Sequence, residues 1–111
     1  MAFCRIDASG VELQIPSAPL ARQHHPTADT LSVRALDDFD SFLTDLYAAC
    51  EAMDVPANTT NSESGVGQYE FNLLHCENAL ICADHARLFK IAVKGIACKH
   101  GFTASFMAKP Y

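Results

Sequence analysis

Two glutamates flank a glycine turn in the segment Glu63-Ser-Gly-Val-Gly-Gln-Tyr-Glu70, and no other side chains in the sequence have a clearer chemistry. Gly65 and Gly67 let the backbone fold one carboxylate back toward the other. Clustered carboxylate oxygens are what hard cations such as Mg²⁺ and Mn²⁺ bind. The ordinary alternative is a pair of solvated acids around a tight turn, since glutamates on loops and strand faces are mostly hydrated.

Other polar residues carry weaker signals. Gly65-x-Gly67 precedes a strand and lacks the Lys-Ser/Thr or helix start that would hold a phosphate, so it reads as a turn. His24, His25, His75, His85 and His100 show no H-x-x-x-H spacing and read as surface, capping or locally hydrogen-bonded residues. Lys90 and Lys94 share a helical face and read as solvated cations opposite an apolar stripe. Lys109 lies in a strand whose neighbours Phe106 and Ala108 read as buried, so its ammonium must reach water, a partner charge or a ligand.

The elements that position these residues come from a chain of 111 residues that is 50% hydrophobic, enough for one small domain. At this size only about two-thirds of the unfolded surface is buried on folding. A net charge of −5 without a Lys/Arg cluster argues against a nucleic-acid surface or an anionic membrane. No run approaches the roughly 18 apolar residues of a membrane span, and Met1 to Arg5 does not open a signal peptide. The compartment expected is therefore the cytoplasm. Cys4, Cys50, Cys76, Cys82 and Cys98 are odd in number and form no C-x-x-C pair, so all five are expected reduced.

Along the chain, residues 1–15 read as two short strands around Ala8-Ser9-Gly10, and 16–35 as a loop with Pro16, Pro19 and Pro26. Leu36, Phe39, Leu43, Leu46, Tyr47, Cys50 and Met53 recur at helical steps, giving a helix over 36–54 with acidic residues near its start. Residues 55–75 read as a loop and then a strand. In that strand Gln68, Glu70, Asn72 and Leu74 face one way, and Tyr69, Phe71, Leu73 and His75 the other. A second helix over 78–100 has helical spacing in Leu80, Ala83, Leu88, Ile91, Ala92 and Ile96 and stops at Gly101. A final strand is expected over 102–109.

The Glu63–Glu70 segment, Ala83-Asp84, Phe89-Lys-Ile-Ala-Val-Lys-Gly-Ile-Ala97 and Lys99-His-Gly-Phe-Thr-Ala-Ser-Phe-Met-Ala-Lys-Pro110 together resemble the catalytic domain of glutamine synthetases. The likeness is tight from Pro56 to Tyr111 and looser upstream. Tyr69-Glu-Phe-Asn-Leu73 and the Ala-Lys-Pro-Tyr ending look most like the branch that contains γ-glutamylputrescine ligases. The resemblance implies an α+β fold, a partial glutamine synthetase catalytic domain with antiparallel strands packed with two main helices. It implies that Glu63 and Glu70 are ligands of Mg²⁺ or Mn²⁺ near the phosphates of ATP. Glutamate, ATP and ammonia or a polyamine are the partners it implies for the intact enzyme, which works through γ-glutamyl phosphate in an oligomeric assembly.

The same likeness implies that parts are missing. The family's Glu-x-Glu-Phe strand falls at Met1-Ala2-Phe3, which has neither glutamate, and its Gly-x-Gly-x-His-x-His strand would follow Tyr111. The chain therefore reads as about a quarter of a ligase, expected to be inactive when isolated. Two alternatives are a non-catalytic remnant that docks onto intact subunits and a stand-alone divalent-metal module.

Overall fold

The computed structural model describes residues 2–6, 13–14, 30–37, 39–65 and 67–107. Their elements are β1 (Ala2–Ile6), β2 (Leu13–Gln14), α1 (Val33–Asp37), α2 (Asp40–Ala52), β3 (Ala57–Ser62), β4 (Tyr69–Leu73), α3 (Ala79–Lys99) and β5 (Thr103–Ser105). One antiparallel sheet has the order β2-β1-β5, with Arg5 opposite Gln14 and Ala2 opposite Ser105. β3 and β4 form a separate antiparallel hairpin. The fold is α+β, with the two long helices packed on each other, α3 also against β5 and α2 against β3.

The core is an aromatic and aliphatic seam between these elements. Phe42, Leu46 and Cys50, spaced at four on α2, meet Phe89, Ala92, Val93 and Ala97 of α3, the i, i+4 stripe expected of two packed amphipathic helices. Phe39 at the start of α2 touches Tyr69 of β4 edge-on at 5.2 Å and Phe102 at 5.5 Å, joining the hairpin and β5 to the helical pair. Burial pushes the Cys50 thiol pKa up, as expected for a cysteine used as a small apolar residue.

Both ends of α3 are set by local chemistry. Asn78 caps the start, its side-chain oxygen accepting from the Leu80 and Ile81 amides at 2.9 and 3.3 Å. At the other end Gly101 adopts φ 76°, the Gly101 amide bonds to the Cys98 carbonyl and the Phe102 amide to the Ala97 carbonyl at 2.8 Å. That is the Schellman closure, and its C″ residue Phe102 and C3 residue Ala97 are both buried in the core.

Five sequence expectations change. The final strand expected over 102–109 is the three-residue β5, because its pairing with β1 ends at Ser105; Phe106 and Met107 lie beyond it and are exposed. The helix expected over 36–54 is two helices, α1 starting at Val33 inside the expected loop and α2 starting at Asp40, with Phe39 turning inward between them. The loop expected from residue 55 contains β3, because polar Ala57-Asn-Thr-Thr-Asn-Ser62 has no apolar alternation and is a strand only by pairing with β4. On α3 the buried face is Phe89, Ala92, Val93 and Ala97, while Leu80 and Ile91 are exposed. The second half of α3 is apolar nearly all round, so its periodicity does not choose a face. Cys76 and Cys82 form a disulfide with their Cα atoms 6.2 Å apart, whereas Cys50 and Cys98 are free thiols. The capped turn at Asn78 brings two cysteines six positions apart together, which a search for C-x-x-C does not find.

Candidate metal centre

The hairpin registers the two glutamates. Ser62 pairs with Tyr69 and Asn61 with Glu70. Beyond them the Glu63 amide donates to the Gln68 carbonyl and the Gln68 amide to the Gly65 carbonyl, both at 2.9 Å, closing the connection. Gly67 occupies φ 69°, a conformation open to glycine. A Cβ at Gly65 would meet mainly the far end of the flexible Gln68 side chain, so Gly67 is the glycine whose backbone conformation the turn requires.

Side chains alternate along a strand, so Glu63, two residues past Asn61, falls on the face that carries Glu70. Such diagonal neighbours in an antiparallel pair lie about 7–8 Å apart, within reach of long side chains. Tyr69 and Ser62 point the other way and are buried. The Ser32 amide bonds to Ser62 Oγ at 2.6 Å and the Leu31 amide to the Ser62 carbonyl at 2.9 Å, tying the end of β3 to the segment before α1. Tyr47 Oη and Thr60 Oγ1 meet at 2.6 Å, fixing the hairpin to α2.

Glu63 and Glu70 border one cleft of about 370 Å³ whose lining draws on both faces of β4, Gln68 with the glutamates and Tyr69 and Phe71 from the opposite face, and on Phe89 and Phe106. Glu70 Oε1 accepts from Asn72 Nδ2 at 3.1 Å, and the same amide reaches Thr59 Oγ1, which orients the Glu70 carboxylate from behind. The apolar wall is made by Phe71 and Phe89, whose rings stand 5.3 Å apart, and by Phe106. Lys90 Nζ lies 5.1 Å from the Phe106 ring centroid, placing a cation on that wall.

Among the described residues no three His, Cys, Asp or Glu side chains come together to hold a metal ion. The donor set of the cleft is two carboxylates and the Gln68 amide. It suits Mg²⁺ or Mn²⁺ of the kind bound through one or two carboxylates plus waters and substrate phosphates, and does not suit a cation caged wholly by protein. β1, the strand beside β5, contributes no acidic residue to it.

The other residues singled out in the sequence lie elsewhere. His100 sits against Asp45 at 2.9 Å and edge-on to Phe42. His75 is exposed and His85 half-buried, and Lys94 is exposed. His24, His25 and Lys109 are outside the described residues. Sequence reasoning missed Phe89, Phe106 and Gln68 as cleft residues; all three stood in the quoted motifs, but only the folded arrangement, with Phe71 of β4 against Phe89 of α3, shows that they share a cleft with the glutamates.

Residues 5–111 match the family described as glutamine synthetase, catalytic domain. The chain belongs to that family. Within it, the chain is 37% identical over 105 residues to γ-glutamylputrescine synthetase PuuA of Escherichia coli K12, covering 95% of this chain and 22% of that protein. It is 57% identical over 51 residues to a glutamate–isopropylamine ligase of a Pseudomonas species, covering 46% of this chain and 11% of that protein. Among solved structures, GmaS without ligand superposes with a TM-score of 0.71 at 28% identity, covering 98% of this chain and 24% of GmaS. The same protein solved in complex with ADP matches to the same extent. The chain thus spans under a quarter of the length of these family members. None of its described helices is long and apolar enough to cross a membrane.

Proposed function

We propose that this chain forms one side of the metal–nucleotide site of an ATP-dependent ligase that joins the γ-carboxyl of glutamate to ammonia or an amine. The observation that carries the reading is that Glu63 and Glu70 share one cleft. In it the two glutamates, placed by the hairpin register and, for Glu70, by the Asn72 hydrogen bond, would hold Mg²⁺ or Mn²⁺. A divalent cation there supplies charge neutralisation for transfer of the γ-phosphoryl group to the glutamate carboxylate. The chain's own residues position the site, with Phe71, Phe89 and Phe106 forming an apolar wall beside the two carboxylates. The amine then displaces phosphate from γ-glutamyl phosphate. The relatives include one named for putrescine, one for isopropylamine and several glutamine synthetases, so the acceptor is ammonia or an amine.

Two carboxylates are too few to hold both nucleotide and glutamate for turnover, so the 111 residues alone bind without catalysing. The test is phosphate release by the purified chain with ATP, Mg²⁺, glutamate and either ammonia or putrescine. No release above background is expected, and sustained turnover by the chain alone contradicts this division of labour. A second reading, docking onto intact subunits of an oligomeric, cytoplasmic homologue, is favoured by the exposure of Leu74, Leu80 and Ile81 around the start of α3. Co-purification with a full-length family member distinguishes it.

A further inference from the structure

We propose that Cys76 and Cys82 are a reversible dithiol–disulfide switch at the joint between β4 and α3. Cys76 lies in the connection that leaves β4 after Leu73, and Cys82 lies in the first turn of α3. Their Cα atoms are 6.2 Å apart and the sulfurs are bonded, within the separation a disulfide spans without moving backbone. Asn78 sits inside the closed loop and holds the intervening chain by capping Leu80 and Ile81, so the sulfurs are brought together by the helix cap itself.

The open form is provided for as well. Cys76 Sγ lies 3.3 Å from the Asn78 carbonyl and Cys82 Sγ lies 3.4 Å from the Cys76 carbonyl, so each thiol has an acceptor at hand once the bond is broken. Both residues are half-buried, leaving the sulfurs within reach of a small oxidant. A joint that satisfies both redox states locally is suited to switching between them, and disulfides of reducing compartments are usually of this transient kind.

Closure is a two-electron oxidation. One thiolate attacks a low-molecular-weight disulfide such as oxidised glutathione and releases one glutathione; the second cysteine then attacks the mixed disulfide and releases the other. The S–S bond forms, and two electrons and two protons end on the two released thiols. The effect is mechanical. Glu70 and Phe71 lie on β4 and Phe89 on α3, so the bond ties together the two elements that form facing parts of the cleft. Opening it leaves the connection held by the Asn78 cap alone, with Phe71 and Phe89 still in contact across the two elements. The pairing stands whether or not the chain binds a nucleotide.

The test equilibrates the full chain across ratios of reduced to oxidised glutathione, quenches with acid, alkylates and maps the cysteines by mass spectrometry. Cys76 and Cys82 are expected to lose alkylation together and to give an internal cross-link, while Cys50 and Cys98 form none. Amide exchange measured on both forms should slow at Leu80 and Ile81 by about tenfold or more in the oxidised chain, because the closed loop resists opening of the cap. Cys98→Ser should leave both readouts unchanged. Full alkylation of Cys76 and Cys82 at every ratio, separate glutathione adducts without a cross-link, or equal exchange in the two forms would overturn the proposal.

Discussion

Glu63 and Glu70 are both legible in the sequence, but for different reasons. Their residue types and the glycines between them suggest a cation site, while only the hairpin register puts them on one face. Asn72, the side chain that orients Glu70, gave no sign beyond its place on a polar strand face. Asp45 is a separate residue-scale feature: its carboxylate takes Lys99 Nζ at 2.8 Å and His100 Nε2 at 2.9 Å, joining α2 to the end of α3. The Lys99 hydrogen bond, and after it that of His100, hold its carboxyl below the ordinary value of 3.8. A depressed carboxyl contributes stability that is present above its unfolded value and lost as pH falls through the folded one. The thermal midpoint should therefore drop as pH is lowered from about 5 toward 2, and Asp45→Asn should flatten part of that drop. Circular dichroism melts at several pH values check it, and identical slopes for the two chains would be the contrary result. The pair is exposed, so the effect is small and shrinks with added salt.

At the scale of elements, α3 is the part that could be read most fully in advance, because its stop signal at Lys99-His-Gly101 is made of local chemistry. Gly101 occupies a left-handed conformation with nothing within 4 Å of the position a Cβ would take. Gly101→Ala should then cost about 1–2 kcal/mol through backbone conformation alone. Gly95, exposed within the same helix and equally unobstructed, is the internal contrast. Gly95→Ala should stabilise by about 0.5–1 kcal/mol by restricting the unfolded chain and raising helix propensity. Urea unfolding of the two variants gives opposite signs if the Schellman closure is as described. What the sequence hid at this scale was β3, whose polar residues are a strand only because β4 pairs with them, and the break before Asp40. Both depend on partners far along the chain, which local pattern does not contain. The buried face of α3 was hidden for the opposite reason, since too many of its residues are apolar.

For the molecule as a whole, stability rests on a seam in which Phe42, Leu46, Cys50 and Val93 are all but fully enclosed. Phe42→Ala should cost about 3–5 kcal/mol, a large part of what a domain of this size has in total; a loss under 1 kcal/mol in a denaturant melt would mean that α2 and α3 do not pack as described. That seam is what holds the β3–β4 hairpin over α3, and so holds the cleft. Belonging to the glutamine synthetase catalytic-domain family was readable from motifs spread over α3 and β5, whereas the three-phenyl wall beside the glutamates was not, because its members come from β4, α3 and the segment after β5. The central claim is that this cleft binds a divalent cation through Glu63 and Glu70. Its most direct test is titration of Mn²⁺ into the chain, followed by the paramagnetic resonance signal of the free ion, for the wild type, Glu63→Gln and Glu70→Gln. Saturable binding that weakens at least about tenfold in each variant, with the fold intact by circular dichroism, is the predicted result; equal binding by all three chains, or no saturable binding by the wild type, would contradict it.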